Sequence, residues 1–326
     1  MERAITTNQT QSPYDARGLS RLLNDLGSDI LNALKDSFIN EIMLNCDGSL
    51  FIEHKNNGMM KIGQLDPIKA AVIIRTLASI LGKELSNNSP ILSGELPFDG
   101  SRFEGLLPPL TAKPIFSIRK HNALSLPLAD LVKNKMLNEK EAEFLKEAIA
   151  KRRTIIVSGS TGCGKTTLIN ALLNELSHIC PQDRVISIED TKELNIKVKN
   201  KVALFTSQTS DMSVLLKSAL RLRPDRLIVG EVRGSEALDL IDAFSTGHSG
   251  GFTTLHAGSI EQALKRLTLL ISRHEHAPRL IEPTLAEAID LIVQLRRTPL
   301  RHISTIAQVT GFSDGIFHIK HVFNNK

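Results

Sequence analysis

The sequence predicts an α/β protein: a domain built on a mostly parallel sheet, preceded by a smaller α+β domain. From Asn138 onward, short apolar, β-branched segments alternate with helical ones, the pattern of strands and crossover helices in a parallel sheet. Before about residue 120, helical periodicities are mixed with short strands joined by tight turns, as in a mostly antiparallel sheet. The 326 residues suffice for about two domains of ordinary size.

Residues 1–18 show no apolar periodicity and are expected to form a flexible tail. The N-terminal domain is expected over 19–120. Leu19 to Phe38 reads as an amphipathic helix, with Leu22, Leu26, Ile30 and Leu34 four apart. Ile42–Leu44 and Leu50–Ile52 flank Cys46-Asp47-Gly48, a hairpin signal. A second helix is expected from Pro67 to Leu85, closed by the turn residues Asn87-Asn88-Ser89-Pro90. Phe103–Leu107 and Ile115–Ile118 read as strands on either side of Pro108-Pro109. Residues 121–137 are expected as a linker. The second domain, 138–326, opens on Asn138 and Glu141, spaced as a capping box. Strands are then expected at Thr154–Ser158, Val185–Ile188, Leu227–Val229 and Gly251–Leu255. Helices are expected from Lys165, Asp211, Ser235 and Ser259.

Composition narrows the function classes. Hydrophobic residues make up 41% and charged residues 23%, which excludes a disordered or fibrous chain. The best apolar run, Ala70 to Leu81, is interrupted by Arg75, so no membrane span is expected, and the first 30 residues lack the apolar stretch of a secretory signal. Three scattered cysteines, Cys46, Cys163 and Cys180, form no Cys-x-x-Cys pair, which argues against a zinc site and for a reducing cytosol. The net charge of +5 is spread along the chain without a basic patch, and with no Trp, one Tyr and twelve Phe a stacking platform for single-stranded nucleic acid is poorly supported. Peripheral contact with an anionic membrane surface stays open.

Gly159-Ser160-Thr161-Gly162-Cys163-Gly164-Lys165-Thr166 fits G-x-x-x-x-G-K-[ST], between the strand Thr154–Val157 and the helix that carries Thr167 and Leu168. Such a loop curls so that backbone N–H groups face phosphates at a helix N-terminus. Lys165 supplies a charge to the β- and γ-phosphates, and Thr166 a hydroxyl to Mg²⁺. A nucleotide hydrolase also needs an acid at the end of a neighbouring strand to polarise water. Two segments offer one: Leu227-Ile228-Val229-Gly230-Glu231 and Val185-Ile186-Ser187-Ile188-Glu189-Asp190. Glu231 is the first choice and Glu189 the second. Thr246 to His256, Gly-rich and bearing His248 and His256, is placed to read a γ-phosphate; metal binding there lacks a ligand pattern.

These four blocks, in this order, resemble the secretion-ATPase superfamily of bacterial type II and type IV secretion systems and type IV pili. Gly159–Thr166 looks like its Walker A, Arg184–Glu193 its Asp box, Arg223–Arg233 its atypical Walker B and Thr246–His256 its His box. Pro90–Pro97, Arg102–Pro109 and Phe116–Lys120 are further similar to the TrbB-type conjugal-transfer ATPases of type IV secretion. The resemblance implies a RecA-like P-loop NTPase domain, ATP and Mg²⁺ as ligands, and hydrolysis to ADP and phosphate. It also implies a homo-hexameric ring, with nucleotide between the two domains of each chain. The ring would work at the cytoplasmic face of the inner membrane, docked on secretion-system components and powering assembly or substrate transfer. His256 would read the γ-phosphate, and Arg102 and Arg119 would reach the phosphates from the N-terminal domain, in cis or in trans. Cys163 stands where the family often has Ser. Alternatives are a type IV pilus or type II secretion motor with the same chemistry, and a nucleotide-gated adaptor with negligible turnover.

Overall fold

The computed structural model describes residues 13–55, 57–120, 126–207 and 209–325. The chain divides into two compact units between Asn122 and Ala123.

The first unit contains α1 (Pro13–Lys35), β1 (Ile39–Leu44), β2 (Ser49–His54), β3 (Gly58–Gln64), α2 (Pro67–Ile80), β4 (Ile91–Glu95), β5 (Arg102–Leu106) and β6 (Ile115–Arg119). Its six strands form an antiparallel sheet in the order β3-β2-β1-β6-β5-β4. The apolar stripe of α1 (Leu22, Leu26, Ile30) packs with Ile73, Ile74 and Leu77 of α2 against Ile42, Phe103 and Ile118 of the sheet. Burial of each such side chain is worth roughly 1.5–3 kcal/mol. The β1–β2 turn is held by Asp47, whose carboxylate accepts from the Ser49 backbone N–H (2.9 Å) and hydroxyl (2.8 Å). Two expectations need correction. Residues 13–18, placed in the tail, are helical, while residues 1–12 lie outside the described residues. The second helix ends at Ile80, short of Leu85. β3 and β4 were not read from the sequence: β3 is an edge strand with Met59 and Met60 exposed, so its residues do not alternate.

The second unit contains α3 (Leu128–Lys133), α4 (Glu139–Ala150), β7 (Ile155–Gly159), α5 (Lys165–Ile179), β8 (Val185–Glu189), β9 (Lys201–Phe205), α6 (Met212–Arg221), β10 (Arg226–Val229), α7 (Ala237–Ser245), β11 (Phe252–Leu255), α8 (Ile260–Ile271), α9 (Glu282–Ala288), β12 (Leu291–Arg296), β13 (His302–Ser313) and β14 (Ile316–Asn324). They build an eight-stranded sheet in the order β14-β13-β12-β7-β11-β10-β8-β9, parallel from β12 to β9, with the β13–β14 hairpin added antiparallel. Successive residues of the central strands face opposite layers. Ile156, Ile186, Ile188 and Val229 pack under α6 to α9, whereas Ile155, Val157, Val185 and Ile228 pack under α3 to α5. Both faces are thus covered, which accounts for the continuous apolar runs of these strands.

The capping box is present: Asn138 accepts from the Glu141 N–H (3.0 Å) and Glu141 accepts from the Asn138 N–H (2.8 Å). The expected linker is not one throughout. Leu128 and Leu131 on α3, with Met136 and Leu137 after it, are buried in the core beneath α4 and α5.

At the amino end of β10, Arg226 is fully buried. Its guanidinium donates to Asp183 Oδ2 (2.7 Å) and to the carbonyls of Ile149 (2.9 Å) and Gly250 (3.1 Å). Arg152 donates to the other oxygen of Asp183, at 2.7 Å.

Candidate functional site

The carboxyl ends of β7, β8, β10 and β11 lie side by side, and the loops leaving them carry the polar residues, the usual ligand position in an open α/β sheet. The Gly159–Thr166 loop joins β7 to α5. Gly164, its N-cap, has φ 102°, and a Cβ there would sit 2.9 Å from Met136 Cε. The left-handed backbone makes glycine the fitting residue for the turn, while the Met136 methyl, at the end of a flexible side chain, could yield to a Cβ. Ser160, Thr161 and Gly162 are exposed, and Thr166 and Thr167 are half-buried on the first turn of α5.

Cys163 is the buried member of the loop: its side chain belongs to the core under α5, and burial pushes its thiol up. Its N–H points at the Ser160 carbonyl at 3.4 Å, closing the loop on itself.

Lys165 begins α5 and is mostly buried. Its ammonium donates to the carbonyls of Gly159 (2.9 Å) and Ser160 (3.1 Å) and lies 3.3 and 3.4 Å from the two ring nitrogens of His256. Burial lowers the Lys165 pKa from the usual lysine value. His256, which follows β11, is also held below the ordinary histidine value, first by burial and then by Lys165.

Glu231 follows β10 and is positioned by its backbone neighbours. Gly230 N–H donates to Ile188 O (2.9 Å), Thr254 Oγ1 donates to Gly230 O (2.8 Å), and Val232 N–H donates to Thr254 O (3.1 Å). One carboxylate oxygen accepts from Arg233 (2.6 Å); the other lies 2.9 Å from His256 Nε2. Arg233 is raised above its usual pKa mainly by this bond to Glu231. A cleft of about 410 Å³ opens over these groups, bordered by Thr161, Glu231, Val232, Arg233, Leu255, His256 and Arg266.

Glu189, at the end of β8, is 3% exposed. Its Oε1 accepts from the backbone N–H groups of Glu193 (2.7 Å) and Leu194 (2.8 Å). Burial nevertheless outweighs these two donors and raises its pKa to about 7. The turn it closes brings Glu193 to α5, where its Oε2 accepts from the Thr166 hydroxyl at 3.1 Å.

The structure therefore gathers Lys165, Glu231 and His256 into one constellation and places Thr166 beside Glu193. The two histidines of the Gly-rich block part company: His256 follows β11 and His248 precedes it, at the opposite end of the strand. Arg102 and Arg119 belong to the first unit, where they sit directly opposite each other on β5 and β6. Like charges in that position repel, and neither makes an ion pair among the described residues.

Sequence reasoning missed Glu193, although it closes the block that contains Glu189. It also missed Arg297 and Arg301, on the turn between β12 and β13. A Cβ on Gly162 would lie 3.7 Å from Arg297 Nη1, and one on Gly164 3.9 Å from Arg301 Cδ. The signal is slight: Arg296, Arg297 and Arg301 fall within six residues, outside any strand or motif read from the sequence.

Among the described residues no group of three or more His, Cys, Asp or Glu side chains could hold a metal by itself. A Mg²⁺ that is shared with substrate phosphates needs less: one or two protein oxygens complete its shell. Thr166 and Glu193 fit that requirement. No helix among the described residues is long and apolar enough to cross a membrane.

Comparison with known proteins gives the family. The conjugal transfer protein TrbB of Rhizobium radiobacter is 42% identical over 313 residues, covering 96% of each chain. The probable conjugal transfer protein TrbB of Sinorhizobium fredii (strain NBRC 101917 / NGR234) is 44% identical over 305 residues, 93% of each. The fold is similar to that of the Legionella pneumophila ATPase DotB, with a TM-score of 0.61 at 20% identity, covering 87% of this chain and 80% of that one. The family model for type II/IV secretion system proteins matches residues 30–311. With the phosphate loop, the strand-end acids and His256 at the carboxyl ends of neighbouring strands and this match running through both units, the chain belongs to the type II/IV secretion system protein family.

Proposed function

We propose that the protein hydrolyses ATP to power a conjugative type IV secretion system, working as a homo-hexamer at the cytoplasmic face of the inner membrane with membrane-bound components of that system as partners. The observation that carries this reading is the convergence of Lys165, Glu231 and His256 beside the phosphate loop. The near-full-length similarity to proteins named for conjugal transfer supports the choice of machine.

In this reading the backbone of Gly159 to Thr166 cradles the phosphates, with Thr167 on the same helical turn. Lys165 exchanges its loop carbonyls for phosphate oxygens. Mg²⁺ neutralises phosphate charge when bound, and Thr166, backed by Glu193, would hold it. Glu231 polarises the attacking water. The geometry favours it over Glu189, because Glu231 borders the open cleft beside His256 whereas Glu189 is 3% exposed. His256 reads the γ-phosphate next to Lys165. Arg102 and Arg119 supply guanidinium groups to the phosphoryl oxygens.

Lys165→Ala tests the assignment. It removes a ligand contact and little core packing, so the variant is expected to fold, to lose phosphate release, and to fail in conjugal transfer when it replaces the wild-type chain. Wild-type turnover by the folded variant would overturn the reading.

A further inference from the structure

Just below the phosphate loop, one side chain of β12 reaches past β7 to the segment that follows β11. Gln294 stands near the carboxyl end of β12, opposite Ser158 of β7, and β7 in turn lies between β12 and β11. The side chain of Gln294 is 3% exposed. Its Nε2 donates across β7 to the carbonyl of Ala257, at 3.2 Å, and to the carbonyl of Leu295, also at 3.2 Å. Ser158, itself fully buried, aims its hydroxyl at the same Ala257 carbonyl from 3.5 Å.

The position of this tie matters more than its strength. Ala257 is the residue after His256. Ser158 is the residue before Gly159, whose carbonyl receives the Lys165 ammonium. Gln294 therefore spans the two chain segments that set the distance between His256 and the phosphate loop.

A purely structural role explains the residue poorly. Its same-face strand neighbour Ile292 is a buried apolar side chain, and methionine would fill nearly the same volume as glutamine. The amide orientation is fixed, because both near acceptors are carbonyls and only the NH₂ end can serve them. That leaves Oε1 buried with no hydrogen-bond partner among the described residues, a cost an apolar side chain would avoid.

We infer that Gln294 is a positioning residue for His256, holding the carbonyl of Ala257, the residue next to His256, at a fixed distance from the phosphate loop by a hydrogen bond across β7. The inference rests on the role proposed above for His256 in nucleotide turnover, and its test separates the two.

The full-length protein is compared as wild type, Gln294→Met, His256→Ala and the double variant. Gln294→Met is expected to lower kcat about tenfold, the equivalent of one well-placed buried hydrogen bond, with KM changed less than about twofold. In the His256→Ala background the same substitution should change kcat by less than about twofold, because the residue through which it acts is gone. Equal loss in both backgrounds would show a general structural effect and overturn the inference. A second measurement needs no turnover. In protein labelled with ¹³C-histidine, the His256 ring resonance, assigned by its absence in His256→Ala, should move in Gln294→Met; an unmoved resonance overturns the inference. If wild type itself does not hydrolyse ATP, the proposed function fails while this resonance still decides the positioning role. Should Gln294→Met fail to fold, Ser158→Ala removes the other donor to Ala257 and is expected to move the same resonance by less.

Discussion

The hydroxyl of Thr166 lies 3.1 Å from Oε2 of Glu193, although 27 positions separate them in sequence. Asn170, one turn along α5, secures the approach by donating to the Glu193 carbonyl at 2.9 Å and accepting from the Asn195 N–H at 2.7 Å. The side chain proposed to meet Mg²⁺ is thus oriented by a carboxylate anchored to the same helix. Removing an outer partner of a metal ligand typically costs 10–100-fold in metal affinity. Glu193→Gln should therefore raise the Mg²⁺ concentration needed for half-maximal turnover by about tenfold or more. Nucleotide binding without metal should stay close to wild type. A Mg²⁺ titration of phosphate release checks the first, and fluorescent-nucleotide binding in chelator the second.

Glu231→Gln keeps the size of the side chain and its contacts while removing the charge that polarises water. Hydrolysis is expected to fall by at least about a hundredfold with ATP affinity retained. Normal hydrolysis by Glu231→Gln together with loss in Glu189→Gln would exchange the roles of the two acids.

Glu189 also makes a prediction about stability. Its folded-state pKa of about 7 stands above the unfolded value of 4.5. Between those values the folded chain binds more protons than the unfolded one, so this group's contribution falls as pH rises from about 4.5 to about 7 and levels off above. Denaturant midpoints measured across that range should decline less steeply in Glu189→Gln than in wild type. Parallel declines would mean that the carboxyl is ionised throughout.

Arg102 and Arg119 face each other across β5 and β6. Arg119→Lys preserves charge but loses the planar fork that spreads over phosphoryl oxygens. Turnover should drop by about tenfold or more, below the 10³–10⁵ ascribed to complete loss of an arginine finger. An unchanged rate in the folded variant would make the pair ordinary strand residues.

What the sequence disclosed follows physical range. The phosphate loop, the Asn138–Glu141 box and the strand-end acids are local signals, complete within a few residues. The 128–137 segment was misread because Pro127 and the polar run from Lys133 to Lys135 suggest a linker. Only the assembled core shows Leu128, Leu131 and Met136 packing behind α5. β3 stayed hidden because an edge strand exposing Met59 and Met60 has no inner and outer face to alternate between. The pairings of Thr166 with Glu193 and of Ala257 with Gln294 were invisible for another reason. Strand order brings these segments together, and no spacing rule connects them.

Asp183→Ala should be the most damaging of these substitutions for stability. It leaves the Arg226 guanidinium buried without its carboxylate, a change that typically costs about 3–5 kcal/mol. Thermal unfolding of the variant checks this, while Asp183→Asn, which keeps an acceptor, should lose less.

Arg226 binds Asp183 before β8, the end of α4 at Ile149 and the turn before β11 at Gly250, and all of these lie at the end of the sheet away from the phosphate loop. The sheet therefore holds its buried arginine at one end and its candidate ligand-binding side chains at the other, so the residues on which stability leans hardest and those proposed to meet nucleotide can be altered separately.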